Sequence, residues 1–168
     1  MKKLIMGLAV AAVALFATSS IASANFVQAS GTSASAGGTV NFAGNILTAS
    51  CSMSLSGRVA SATTLSVTSG SGSCNVGGLT LSGFPWTQTI DLAGNWTISH
   101  IVATVAVPLF GNCVYEGTLG GTYESDGEGV TILTITDSAS DVTKTSGSVA
   151  CTSTPTISGE LEINVGIA

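Results

Sequence analysis

Charged residues are scarce in this chain, and most of those present are acidic. The 168 residues include four lysines and arginines and nine aspartates and glutamates. Lys2 and Lys3 belong to the extreme N-terminus, so Arg58 and Lys144 are the only cations of the remaining chain, whose net charge is −7. Nucleic-acid binding depends on clusters of lysine and arginine that release counterions from phosphates. The sequence therefore predicts no nucleic-acid partner.

Side chains that support catalysis are also few. His100 is the single histidine, and it lies in an apolar segment without a nucleophile-elbow motif. A serine or cysteine nucleophile needs a base within hydrogen-bond reach. The chain has no glycine-rich dinucleotide loop, no phosphate loop and no His-Glu-x-x-His motif. We therefore expect no enzyme and no cofactor, and we interpret His100 as an ordinary strand residue.

Metal ligands do not cluster in a recognised pattern. The cysteine spacings and the single histidine do not match a zinc site. Glu124, Asp126 and Glu128 could offer oxygens to calcium. However, the Asp126-Gly127 pair is typical of a tight turn for reasons of backbone geometry alone. The sequence favours a solvated hairpin tip here, with weak calcium binding as the alternative, and predicts no metal site.

Long apolar runs are confined to the N-terminus. Lys2 and Lys3 precede the apolar run Leu4–Phe16, and Ala22-Ser23-Ala24 supplies a small-residue cleavage pattern. The run is too short to span a bilayer, which needs about 20 residues. Residues 1–24 are therefore predicted to be a secretory signal peptide, and residues 25–168 the mature protein. We expect the product to pass through the periplasm to the cell surface or the exterior, without a membrane span.

Four cysteines lie in the predicted mature chain, at Cys51, Cys74, Cys113 and Cys151. An exported protein meets an oxidising environment, so an even number of cysteines predicts two disulfides. Three connectivities exist for four cysteines. We favour Cys51–Cys74 and Cys113–Cys151 because each pair would link neighbouring strands, although sequence alone leaves the pairing open.

Apolar and polar residues alternate with a period of two through most of the mature chain, which is typical of β-strands. Glycine, serine or asparagine separates the strands at nearly every junction. Strand segments are predicted around Val40–Ile46, Leu47–Leu55, Leu65–Val67, Leu79–Leu81, Thr87–Leu92, Trp96–Phe110, Val114–Tyr123, Val130–Asp137, Val149–Ser153 and Leu161–Ile167. This pattern predicts an all-β fold of nine or ten short strands, an antiparallel β-sandwich or a barrel-like variant, over residues 39–168. The Ser/Ala/Gly-rich residues 25–38 are predicted to be a flexible extension.

Aromatic residues are few, and several lie close together in the sequence. Phe84, Trp86 and Trp96 could contact a ligand or an apolar surface. Tryptophan beside alternating apolar residues more often packs in the core. Both interpretations remain open at this point.

Two segments resemble a known family. The segments Ser82-Gly83-Phe84-Pro85-Trp86-Thr87 and Val105-Ala106-Val107-Pro108-Leu109-Phe110-Gly111-Asn112-Cys113, together with the four spaced cysteines, resemble bacterial exported proteins of the PraB type, named as activators of alkane oxidation. The resemblance runs from about Ala49 to Pro155. It implies a small exported protein that aids growth on hydrophobic carbon sources without being the oxidising enzyme. Its contacts would be hydrophobic material or the extracellular matrix.

A second resemblance is local. Gly37-Gly38-Thr39-Val40-Asn41-Phe42-Ala43-Gly44-Asn45-Ile46, leading to Cys51, is similar to the start of a chaperone–usher fimbrial subunit. Such subunits are β-sandwiches that lack a strand, and the N-terminal extension of a neighbour fills the groove by strand addition. The resemblance implies that residues 25–38 are this extension and that Leu161–Ile167 lies beside the groove. The alternative function is therefore a pilin-like subunit that self-associates into surface fibres.

Overall fold

Ten antiparallel strands make up most of the chain in the computed structural model, which describes residues 24–45, 48–126 and 129–167. The strands are β1 (Ser33–Ala43), β2 (Thr48–Val59), β3 (Thr64–Cys74), β4 (Gly77–Ser82), β5 (Trp86–Ile90), β6 (Asn95–Val107), β7 (Gly111–Ser125), β8 (Thr131–Ile135), β9 (Asp141–Gly147) and β10 (Thr156–Ile163). A 3-10 turn, Asp137–Ala139, joins β8 to β9. No helix of the described residues is long and apolar enough to cross a membrane. The predicted all-β fold is confirmed.

Period-two alternation explains why these segments are strands. In β2, Met53 and Leu55 are buried while Ser52 and Ser54 are exposed. Successive side chains of a strand point to opposite faces, so one face of β2 enters the core and the other carries small hydroxyls to solvent. The same alternation recurs in β5 and in β8. The apolar face of each strand therefore points into a common interior.

The ten strands form one sheet, and that sheet closes on itself. Hydrogen-bonded neighbours follow the circuit β6–β5–β3–β2–β1–β10–β8–β7, and β7 pairs with β6 to complete it. β4 fills the space between β3 and β6, while β9 adds to the first half of β7. The architecture is therefore the barrel-like variant of the two predicted arrangements. Eight tilted strands are enough to enclose a side-chain core.

The predicted flexible extension is shorter than expected. Ser33–Gly38 lie within β1 and pair with β2, and Ala36–Gly38 also pair with β10. A Cβ added at Gly38 would lie 2.0 Å from the carbonyl oxygen of Glu160, so the small residues of this segment allow the neighbouring backbone to approach closely. The Ser/Ala/Gly-rich composition of residues 25–38 had predicted a flexible extension. In this structure Ser33–Gly38 instead completes the sheet of its own chain.

The segment before β1 also contacts the domain. Phe26 is buried and forms an isolated antiparallel bridge with Ile167 near the C-terminus. The backbone N–H of Phe26 donates to the carbonyl of Ala62, and that of Val27 donates to Gly166. The predicted signal peptide lies outside the described residues except for Ala24, which is buried.

Two disulfides have the favoured connectivity. Cys51 and Cys74 lie directly opposite each other on β2 and β3. The second disulfide joins Cys113 of β7 to Cys151. The pairing is confirmed, but Val149–Ser153 is a loop and not the predicted strand. Cys113–Cys151 therefore attaches the β9–β10 connection to the sheet.

Candidate functional site

The interior of the closed sheet is filled by side chains. Three cavities lined by core residues measure only about 10, 20 and 20 Å³. Each is large enough for about one water molecule. Closed sheets of eight strands either fill their interior with side chains or hold one small ligand. These three cavities have no room for a hydrocarbon chain.

One polar side chain, Gln88 of β5, is buried in this apolar interior. It is 1% exposed, and its Nε2 has no hydrogen-bond acceptor among the described residues. The surrounding side chains include Leu55, Leu65 and Val67. A buried donor without an acceptor carries its full desolvation penalty.

Replacing Gln88 with leucine is expected to stabilise the fold by about 1–3 kcal/mol, because the apolar side chain removes the unpaired donor while keeping a similar volume. Urea denaturation followed by circular dichroism measures the change. Gln88→Glu, which would bury a charge at the same position, is the matched control and should destabilise the protein. A lower unfolding free energy for Gln88→Leu would show that the amide makes a stabilising interaction.

The aromatic residues that were candidates for apolar contact do not share one surface. Trp86 and Trp96 are 0% and 1% exposed. The Trp86 Nε1 donates to the Ser82 carbonyl at 2.8 Å, and the Trp96 Nε1 donates to the Thr122 carbonyl at 2.9 Å. Both indoles therefore belong to the core, and their burial corrects the interpretation that Trp86 and Trp96 contact a ligand or an apolar surface. Phe84 is half-buried and stacks on Trp86, with ring centroids 4.4 Å apart.

His100 lies where β6 departs from regular pairing with β7. The register shifts between Ile98 and Ile101, and the backbone φ of His100 is 65°. The side chain is exposed on the outer surface of the sheet. Its position follows from this local irregularity of the strand.

Acidic side chains gather at one end of the molecule, which we call the acidic end, defined by Asp91, Glu124 and Asp126. Asp91 lies in the β5–β6 turn, where hydrogen bonds from the Asn95 side chain and backbone hold the pKa of its carboxyl below the usual value. The Asp126 carboxylate accepts from the backbone N–H of Gly129, as expected for a hairpin turn. Glu128 lies outside the described residues. Within the described ranges no three metal-ligating side chains come together.

The opposite end carries exposed apolar side chains. Leu109 and Phe110 lie in the β6–β7 turn, and Val149 lies in the β9–β10 loop. Leu109 and Val149 are fully exposed, and Phe110 is 52% exposed. The two segments are adjacent because the backbone N–H of Ser148 donates to the Asn112 carbonyl at 3.1 Å. We call Leu109, Phe110 and Val149 the apolar tip.

The turn that contains Leu109 has this leucine at a position where the backbone conformation favours glycine or asparagine. The backbone N–H of Phe110 donates to the Val107 carbonyl at 3.1 Å, and Pro108 occupies the second position of this turn. Leu109, in the third position, has a φ of 70°. This is the type II pattern, which favours glycine or asparagine at the third position. A bulky side chain is held there despite the backbone preference.

Lys144 supports the loop that carries Val149. Its Nζ donates to the carbonyls of Ser148 and Cys151, both at 3.1 Å. The Cys113–Cys151 disulfide holds the same loop from the other side. Lys144, the one cation near the apolar tip in the part of the chain that the structure describes, is therefore bound to backbone carbonyls.

Sequence reasoning placed Leu109 and Phe110 inside a strand and did not single out Val149. The signal for the tip was available in part, since Pro108 indicates a turn, but the exposure of the three side chains depends on how the loops pack.

One comparison with known proteins identifies a family. The family described as alkane oxidation protein activator PraA/PraB-like matches residues 1–163. Neither a curated protein nor a solved structure matches the chain. The match covers nearly the whole sequence, including both disulfides and the apolar tip. The chain belongs to the PraA/PraB-like family of alkane oxidation activators.

Proposed function

We propose that this protein is an exported, non-catalytic accessory factor of alkane oxidation that acts on hydrophobic material through its outer surface. The filled interior carries the proposal. The three cavities that core residues line among the described residues measure about 10–20 Å³, so none of these three could enclose an alkane chain. The larger depression of about 500 Å³ beside Ile90 and Leu92 is open to the outside. Contact with hydrocarbon would then take place on the outside of the molecule.

The two disulfides and the N-terminal segment support an extracytoplasmic location. Disulfides form and persist outside the cytoplasm, and this chain has two. One joins the adjacent strands β2 and β3, and the other attaches the β9–β10 connection to β7. The charged start, the apolar run and the small residues of 1–24 support export. In the reducing cytoplasm the same chain would lose both cross-links.

Growth of a deletion strain on hexadecane tests the proposal. We expect slower growth without the gene, with rescue by the wild-type chain and by His100→Ala, because no histidine chemistry is involved. A version lacking residues 1–24 should fail to rescue, and the matched control is the same domain behind an unrelated secretory signal, which should rescue. Loss of rescue in His100→Ala, or rescue by the cytoplasmic version, would contradict the proposal.

A further inference from the structure

We propose that the apolar tip enters the surface of liquid hydrocarbon while the acidic end stays in water, so that the domain stands upright at the interface. This inference rests on the proposed function and names the contact site and the orientation. Leu109, Phe110 and Val149 are the residues that make the contact. They differ from the aromatic residues that the sequence suggested.

The first support is the shape of the tip. Leu109 and Val149 are fully exposed, so their side chains project beyond the sheet from two separate loops. Exposed apolar side chains occur at both ends of the molecule, because Val27, Leu92 and Val130 near the acidic end are 50%, 64% and 38% exposed. The two that are fully exposed lie together at the tip. Projecting side chains suit a partner that can flow around them. A liquid hydrocarbon surface does so without needing matching pockets.

The second support is the backbone of Leu109. A non-glycine residue at a φ of 70° is disfavoured, and the type II turn would accept glycine or asparagine more easily. The side chain packs against nothing that would offset this strain, because it is fully exposed. Strained positions persist where the conformation serves a purpose. Here the strain holds an aliphatic side chain in the outermost position of the turn.

The third support is the distribution of charge along the strands. β6 runs from the turn of Asp91 to the apolar tip, and β7 runs from the tip to Asp126. The thirteen residues of β6 that join the two ends have an extended length of about 40 Å along the strand. The described residues of the connections at the tip end, 44–45, 75–76, 108–110 and 148–155, include no aspartate or glutamate. The loops of Leu109 and Val149 can therefore leave water without burying a carboxylate of their own, whereas the turns at the acidic end carry Asp91 and Asp126.

Partitioning into hexadecane droplets tests the contact site. The variant carrying Leu109→Asn and Val149→Ser should partition at least about tenfold less than wild type, since each apolar side chain withdrawn from water contributes roughly this factor. Leu92→Ser is the matched control, because Leu92 is 64% exposed at the acidic end. It should partition within about twofold of wild type. Leu109→Asn should fold normally, because asparagine tolerates this backbone conformation.

Fluorescence tests the orientation. Both native tryptophans are buried, so a new indole at Phe110→Trp reports its own surroundings, and its emission should shift to the blue on droplets. Leu92→Trp should show no shift. A shift at Leu92→Trp, or equal partitioning of the double variant, would overturn the inference while leaving the proposed function standing. Failure of the wild type to bind either hexadecane droplets or phosphatidylcholine vesicles would overturn both. Binding to phosphatidylcholine vesicles without binding to hexadecane would overturn the choice of partner.

Discussion

Replacing Trp96 with alanine is expected to lower the free energy of unfolding by about 3–5 kcal/mol, the range for removal of a buried aromatic side chain. Trp96 is 1% exposed, and its ring fills the interior where β6, β7 and β8 meet. Its Nε1 lies 2.9 Å from the Thr122 carbonyl of β7 and 3.2 Å from the Thr134 carbonyl of β8. Alanine would therefore leave a cavity and remove a donor to two strands at once.

Urea denaturation followed by far-ultraviolet circular dichroism measures this loss. Trp96→Phe is the matched control: it keeps most of the ring volume and removes only the N–H donor, so its loss should be smaller than that of alanine. Phe84→Ala removes a half-buried ring and should also have a smaller effect. An alanine variant as stable as wild type would show that Trp96 does not support the closure of the sheet.

Removing the Cys113–Cys151 disulfide by a double alanine substitution is expected to destabilise the fold by about 4 kcal/mol. The two cysteines are 38 residues apart, and the chain-entropy model assigns about this value to a loop of that length. The disulfide also attaches the loop of Val149 to β7. Its loss should therefore affect the apolar tip as well as the global stability.

The double alanine substitution of Cys51 and Cys74 is the matched comparison. These residues are 23 apart in sequence, and they are directly paired on adjacent strands. The model assigns about 3.5 kcal/mol to this loop. Both variants are compared with wild type by denaturation, and binding to hexadecane is measured under conditions in which each remains folded. Only the Cys113/Cys151 variant should bind droplets more weakly, and equal binding by both would contradict the role of this disulfide in holding the tip.

The strands were predictable where a buried face is made of large apolar residues. Trp96–Phe110 was predicted as one strand, and β6 covers Asn95–Val107 of it, ending where Pro108 begins a turn. β9 was not predicted, because Val142 is its only large apolar residue and the alternation rule has little to detect. β9 forms because the first half of β7 offers it a free edge. That edge exists only once the sheet is assembled.

The candidate site was less predictable than the fold. Trp86 and Trp96 drew attention because large aromatic residues can bind apolar ligands, but their side chains face the interior. Leu109 and Phe110 looked like the end of an apolar strand. Their exposure depends on the turn at Pro108 and on the neighbouring loop held by Lys144 and Cys151.

By itself, the sequence determined the all-β fold class, the number of disulfides and the resemblance to the PraB-type family. These follow from a local period of two, an even number of cysteines and contiguous motifs. Only the tertiary structure decided that β6 pairs with β7 to close the sheet, that Ser33–Gly38 completes it, and that an apolar tip lies opposite the acidic end. The physical reason is that strand pairing and side-chain exposure depend on residues far apart in the chain. A local sequence pattern does not indicate which distant residues will pair or pack together.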